Sequence, residues 1–67
     1  MPIVARIKTF NEAFKIGWDL AVEASDSAVG LGTSLSDAIR SLMKAGMSDP
    51  VEIGTAAYEA VKADRPF

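Results

Sequence analysis

Three acidic residues near the middle of the chain have the spacing of a candidate cation site. Asp19, Glu23 and Asp26 stand at i, i+4 and i+7, so one helix face can present all three. Carboxylates suit hard cations, but a stable cage also needs carbonyl or water ligands. The chain has no His and no Cys, the usual ligands of zinc and most transition metals. We therefore interpret these carboxylates as solvated surface charge and expect no metal and no cofactor.

A glycine pair further along offers a second kind of chemistry, which is phosphate binding. Segment 30–34, GLGTS, combines two glycines with two hydroxyl side chains. A phosphate loop also needs a third glycine, a Lys followed by Ser or Thr, and a preceding strand, and the sequence supplies none of these at the required places. Without His or Cys, the usual catalytic triads and dyads are also excluded. The sequence therefore predicts that the protein is not an enzyme.

The size of the chain favours association with other molecules. Its 67 residues suffice for one small domain, which we expect to span residues 1–67. A chain this short buries only about 60% of its unfolded surface and is marginally stable by itself. Disulfides, metals and oligomerisation are the common sources of extra stability, and the composition leaves oligomerisation or docking.

Charge is distributed unevenly along the sequence. Residues 1–17 carry three bases and one acid, whereas residues 18–37 carry four acids and no base. No basic patch is present that would release counterions from a nucleic acid, so we do not expect nucleic-acid binding. The acidic part of one molecule can instead face the basic first turns of a neighbouring copy.

The dominant pattern is one apolar stripe in helical phase over residues 2–24. Its members recur at spacings of three and four residues, and the stripe includes most of the aromatic side chains of the chain. The members are Ile3, Ile7, Phe10, Phe14, Gly17, Ala21 and Ala24, with Val4, Trp18 and Val22 beside them. A strand over residues 2–9 with a capping box at Thr9 and Glu12 is the alternative. We favour one long helix because the stripe continues through residue 9 and because Pro2 suits a first turn.

The same helix carries two further features. Ala13, Gly17 and Ala21 form a ridge of small residues, which allows a second helix to approach closely. Ile16 and Leu20 lie nearly opposite the main stripe and suggest a second apolar patch on the outside. We therefore expect the helix to be contacted on two sides.

The middle of the chain is ambiguous. Two glycines favour a loop over residues 25–33 after a break at Ser25–Ser27, followed by a helix over 34–45 that begins at a capping box of Ser34 and Asp37. An apolar repeat that starts at Ala28 keeps a longer helix from residue 27 open.

The last helix has the clearest boundaries. Gly46 is suited to end the preceding helix as a left-handed cap. Asp49, Pro50 and Glu52 occupy the positions of N-cap, N1 and N3, so a helix should run over residues 50–63 until Pro66 stops it. The sequence thus predicts an all-α fold of three helices, a helical hairpin plus a short third helix, with a long amphipathic first helix.

We expect a non-enzymatic structural or assembly protein that oligomerises or docks into a larger complex, for example a virion or another multi-subunit particle. The candidate interaction residues all lie on the first helix, at Ile3, Ile7, Phe10, Phe14, Ile16, Trp18 and Leu20. A small regulatory or inhibitory module that binds a protein is the first alternative, and an amphipathic peptide on a membrane surface is the second. The sequence has no transmembrane run and no signal peptide, because Arg6 and Lys8 interrupt the first apolar segment, so we expect a cytoplasmic location.

Overall fold

The computed structural model describes residues 3–25 and 30–63, and this part of the chain folds into helices without strands. The helices are α1 (Ile3–Glu23), α2 (Leu31–Lys44) and α3 (Pro50–Ala63). The predicted all-α fold with a long first helix is confirmed. Because α1 is helical from Ile3, the extended alternative for the first residues is wrong. The expectations for Pro2, for the break and longer-helix start at residues 26–28 and for Pro66 lie outside the described residues.

The helices form a hairpin with the third helix laid against it. The start of α2 lies beside Phe14 and Trp18 at Gly32, and its later turns lie beside Phe10 at Arg40, so α2 runs antiparallel to α1. α3 packs against both helices and most extensively against α1. Its Gly54 faces Ala13 and Ile16, halfway along α1.

The core draws its members from all three helices. Its largest fully buried side chains are Leu35 and Ile39 from α2 and Ile53 from α3, and α1 contributes the small residues Ala13 and Ala21. Among the described residues no charged or polar side chain is buried. The chain is therefore held together by apolar packing, which stabilises it by about 25 cal/mol for each Å² of apolar surface removed from water.

The start of α2 differs from the prediction. The helix begins at Leu31 and not at residue 34, with the left-handed Gly30 (φ 80°) as its N-cap. The amide of Ser34 donates to the carbonyl oxygen of Gly30 at 3.0 Å, so Ser34 lies within the first turn and is not a cap. Burying Leu31 yields about 1.5–3 kcal/mol, which exceeds the cost of about 1 kcal/mol for Gly32 inside the helix.

The turn from α2 to α3 follows the sequence signals. Gly46 is left-handed (φ 107°), and its amide donates to the carbonyl oxygen of Met43 at 3.0 Å. The amide of Met47 donates to the carbonyl oxygen of Leu42 at 3.2 Å, which completes a Schellman motif. The amide of Val51 then donates to the Oδ1 atom of Asp49 at 3.1 Å. The predicted cap at Asp49 and the helix over residues 50–63 are confirmed.

Candidate interaction surface on the first helix

The buried side of α1 consists of its smallest residues. Ala13, Gly17 and Ala21, here called the inner ridge, are the residues of this helix that the fold buries. A Cβ atom at Gly17 would lie 2.9 Å from Cδ1 of Leu35 and 3.2 Å from the carbonyl oxygen of Gly54. A Cβ atom at Gly54 would lie 2.6 Å from the carbonyl oxygen of Ala13. The predicted close approach along the inner ridge is confirmed, and the glycine of each helix makes it sterically accessible.

Larger apolar side chains flank the inner ridge on both sides. Phe10 and Phe14 are half-buried and pack against the core on the side of α2. Ile16 and Leu20 are half-buried as well, Leu20 against the core and Ile16 beside Gly54 of α3. The expectation of an outward patch at Ile16 and Leu20 is therefore wrong, because α3 lies on that side of the helix.

The remaining large apolar side chains of α1 are exposed. Their exposed fractions are 74% for Ile3, 74% for Val4, 56% for Ile7, 42% for Trp18 and 62% for Val22. We call these five residues the outer stripe. They form two groups, with Ile3, Val4 and Ile7 in the first turns and Trp18 and Val22 in the last turns. The exposed Asn11 and the half-buried Phe14 lie between the two groups on the same side of the helix.

An aromatic row joins the outer stripe to the buried part of the helix. The ring centroids of Phe10 and Phe14 lie 6.4 Å apart and those of Phe14 and Trp18 lie 5.9 Å apart, with interplanar angles of 22° and 13°. The guanidinium of Arg40 lies 5.8 Å from the centroid of the Phe10 ring. Stacked neighbours restrict each ring, so Trp18 is held at the surface in a defined position.

A shallow open groove lies between the basic end of α1 and the end of α2. Its volume is about 240 Å³, and it is lined by Arg6, Ile7, Phe10, Arg40 and Met43. The side chain of Ile7 belongs to both the groove and the outer stripe. The exposed apolar surface of α1 is therefore bordered by positive charge at its N-terminal end.

The acidic residues considered as a cation site do not form a metal site in the described part of the chain. Asp19 and Glu23 are exposed, and Asp26 lies outside the described part. Within residues 3–25 and 30–63 no group of three His, Cys, Asp or Glu side chains is placed to hold a metal ion. In the same ranges no helix combines the length and the apolar character that crossing a bilayer requires. The surface of α1 is thus the strongest candidate for function.

The seven predicted interaction residues divide into two groups. Ile3, Ile7 and Trp18 lie on the outer stripe, whereas the other four take part in packing within the chain. Val4 and Val22 were not among the seven, although both share the exposed side of the helix. Their position beside Trp18 at 100° per residue is the sequence signal that identifies them.

Comparison of the chain with protein-family models, with curated proteins and with solved structures gave no match.

Proposed function

We propose that the protein is a non-enzymatic assembly component that buries the outer stripe of α1 against another protein surface, either a further copy or a larger complex. The observation that carries this proposal is the exposure of five large apolar side chains along one helix. Isolated exposed apolar residues are common, whereas several large apolar side chains exposed on the same helix face of a small protein are typical of an interaction site.

The position of the outer stripe also supports this function. The hydrophobic core of the chain uses the inner ridge and its flanks, and no residue of the outer stripe belongs to it. Trp18 and Ile7 also lie beside residues of α2, but most of the surface of Val4 and Val22 is left exposed. Covering Val4 and Val22 would remove apolar surface from water and stabilise a fold of marginal size. We also propose a cytoplasmic location for this assembly.

Light scattering over a concentration series tests the proposal. The wild-type chain should form a defined oligomer, and the double variant Ile7→Asp with Val22→Asp should remain a monomer with the same helical content. Val51→Asp is a matched control, because Val51 is 57% exposed but lies on α3. This control should leave the mass of the oligomer unchanged.

A monomer at all concentrations would contradict self-assembly. Capture of the wild-type chain, but not of the double variant, by a protein of different sequence would then indicate that the outer stripe docks on a partner, either in a larger complex or as a small regulatory module. Recovery with anionic vesicles would favour a membrane-surface peptide instead.

A further inference from the structure

We propose that the outer stripe docks on the same stripe of a second copy, with the two α1 helices antiparallel. This inference rests on the proposed function and specifies the partner and the geometry of contact. It is based on a row of charges that runs beside the outer stripe and is complementary to itself only when the second helix is reversed.

The charged row consists of Lys8, Glu12, Lys15 and Asp19, all exposed on α1. At 100° per residue these four side chains fall within about 60° of each other, next to Val4 and Val22. The spacings between them are four, three and four residues, and their signs alternate. When the row is taken from Asp19 to Lys8, the spacings are the same and every charge has the opposite sign.

A twofold axis near the middle of the row turns this pattern into ion pairs. In an antiparallel pair of helices the same flank of each copy meets, so contacts occur in symmetric sets. Lys8 then faces Asp19 of the second copy, and Glu12 faces Lys15 of the second copy. Every charge of the row meets the opposite sign, which favours this orientation and this register over others.

The apolar side chains fit the same register. With Lys8 opposite Asp19, Val4 comes beside Val22 of the second copy, and Ile7 comes beside Trp18 of the second copy. Each end of the outer stripe therefore covers the opposite end of the other stripe. The outer stripe is compatible with this arrangement, and the charged row selects it.

A parallel pair lacks this agreement. In a parallel pair the charged row of one helix would meet the opposite flank of the other helix. Ile3 and the half-buried Phe10 lie on that flank, and the guanidinium of Arg40 lies over the Phe10 ring. Lys8 and Lys15 would then lie near a positive charge without a carboxylate in register. The charges on the described surface of α1 therefore select a reversed second copy.

Disulfide trapping in the full chain reads out the orientation. The natural sequence has no Cys, so a single Val4→Cys or Val22→Cys substitution introduces the sole thiol. In the proposed pair, two thiols at position 4 lie about 27 Å apart at 1.5 Å per residue, too far for a disulfide. A thiol at position 4 and one at position 22 of the other copy lie side by side.

An equimolar mixture of the two variants in a glutathione redox buffer should therefore give a covalent heterodimer, and neither variant alone should give a covalent dimer. Covalent homodimers of either single variant would overturn the antiparallel geometry while leaving self-assembly in place. A monomeric wild type in light scattering would overturn this inference together with the proposed self-assembly.

Charge reversal tests the role of the charged row. Lys8→Glu places like charges in two symmetric contacts and should weaken self-association about tenfold. The fourfold variant Lys8→Glu, Glu12→Lys, Lys15→Glu, Asp19→Lys inverts the whole row and keeps the neighbours within each helix of opposite sign. It should associate with itself as the wild type does but should not form mixed dimers with the wild type.

Lys44→Glu and Asp37→Lys are the controls, because both residues are exposed on α2 away from the charged row. They should leave the dissociation constant unchanged. Free mixing of the fourfold variant with the wild type, or equal dissociation constants for the wild type and Lys8→Glu, would show that the charged row does not set the pairing.

Discussion

The two sides of α1 differ in a way that its hydrophobicity alone would not indicate. The inner ridge is buried although it consists of two alanines and a glycine. The outer stripe is exposed although it holds valines, isoleucines and the single tryptophan of the chain. The line of α1 that lies closest to the other helices is thus made of its smallest residues, and larger side chains such as Phe14 and Leu20 pack beside it.

Close helix packing and exposed apolar surface therefore lie on different lines of α1, the first on the inner ridge and the second on the outer stripe. Gly17 and Gly54 let α1 and α3 come close together, with Ile16 packed beside Gly54. Leu35 of α2 packs against Gly17. The larger side chains of the outer stripe are left over by that arrangement. In a chain with so small a core, they are a large share of the apolar surface that a partner can cover.

We expect the largest difference between the two sides of α1 when charged residues are introduced on each of them. Ile16→Asp with Leu20→Asp would put two carboxylates against α3, and a domain of this size has only about 3–5 kcal/mol of stability to lose. We expect this double variant to unfold, as measured by circular dichroism. Ile7→Asp with Val22→Asp should keep its helicity. A folded Ile16/Leu20 variant would show that this flank is not part of the core.

Steric crowding at the inner ridge should give the next largest effect. In Gly54→Ala the new methyl group meets a backbone oxygen that cannot move aside, so we expect a loss of about 1–3 kcal/mol in urea unfolding. Gly32→Ala is the control, because a Cβ atom there lies 3.9 Å from its nearest neighbours, Phe14 and Trp18. This control should match or exceed the wild type in stability, and equal losses in both variants would argue against a close α1–α3 contact.

Phe14 lies on the border between the two sides and should show both effects. It is half-buried and stacks on Trp18, so Phe14→Ala should cost about 2 kcal/mol, less than the 3–5 kcal/mol of a fully buried ring. Trp18→Ala should cost less stability than this but should weaken association more. Thermal unfolding and light scattering on both variants separate the two effects, and an inverted order would contradict the assignment of the two sides.

A change at the end of α1 should raise stability without touching either side. Ser25 is left-handed (φ 54°), a conformation that costs a residue with a Cβ atom about 1 kcal/mol relative to glycine. Ser25→Gly should therefore raise the melting temperature and leave the dissociation constant unchanged. A change in association with this variant would mean that overall helix stability, and not the outer stripe, controls the assembly.

Parts of this fold follow directly from local sequence signals. Asp49, Pro50 and Gly46 determine the turn between α2 and α3 because caps depend on the few residues beside them. The length of α1 follows from an uninterrupted periodic pattern. The start of α2 was misplaced because the burial of Leu31 is a tertiary effect that outweighs the local preference of Gly32.

The candidate surface was only partly predictable for a related reason. α1 has apolar residues around most of its circumference, so periodicity cannot tell which flank a neighbouring helix will cover. Ile16 and Leu20 were assigned to the outside although α3 lies against them. Ile3, Ile7 and Trp18 are exposed, and their role in association stays a prediction.

Trp18 provides the most direct measurement of the central claim, that the outer stripe is covered by a second copy. It is the single tryptophan of the chain and is 42% exposed in the isolated protein. As the protein concentration rises, its fluorescence emission should shift to shorter wavelength while the helical content stays constant, and Val51→Asp should behave as the wild type does. An emission maximum that stays constant over a concentration range from about micromolar to millimolar would contradict the account.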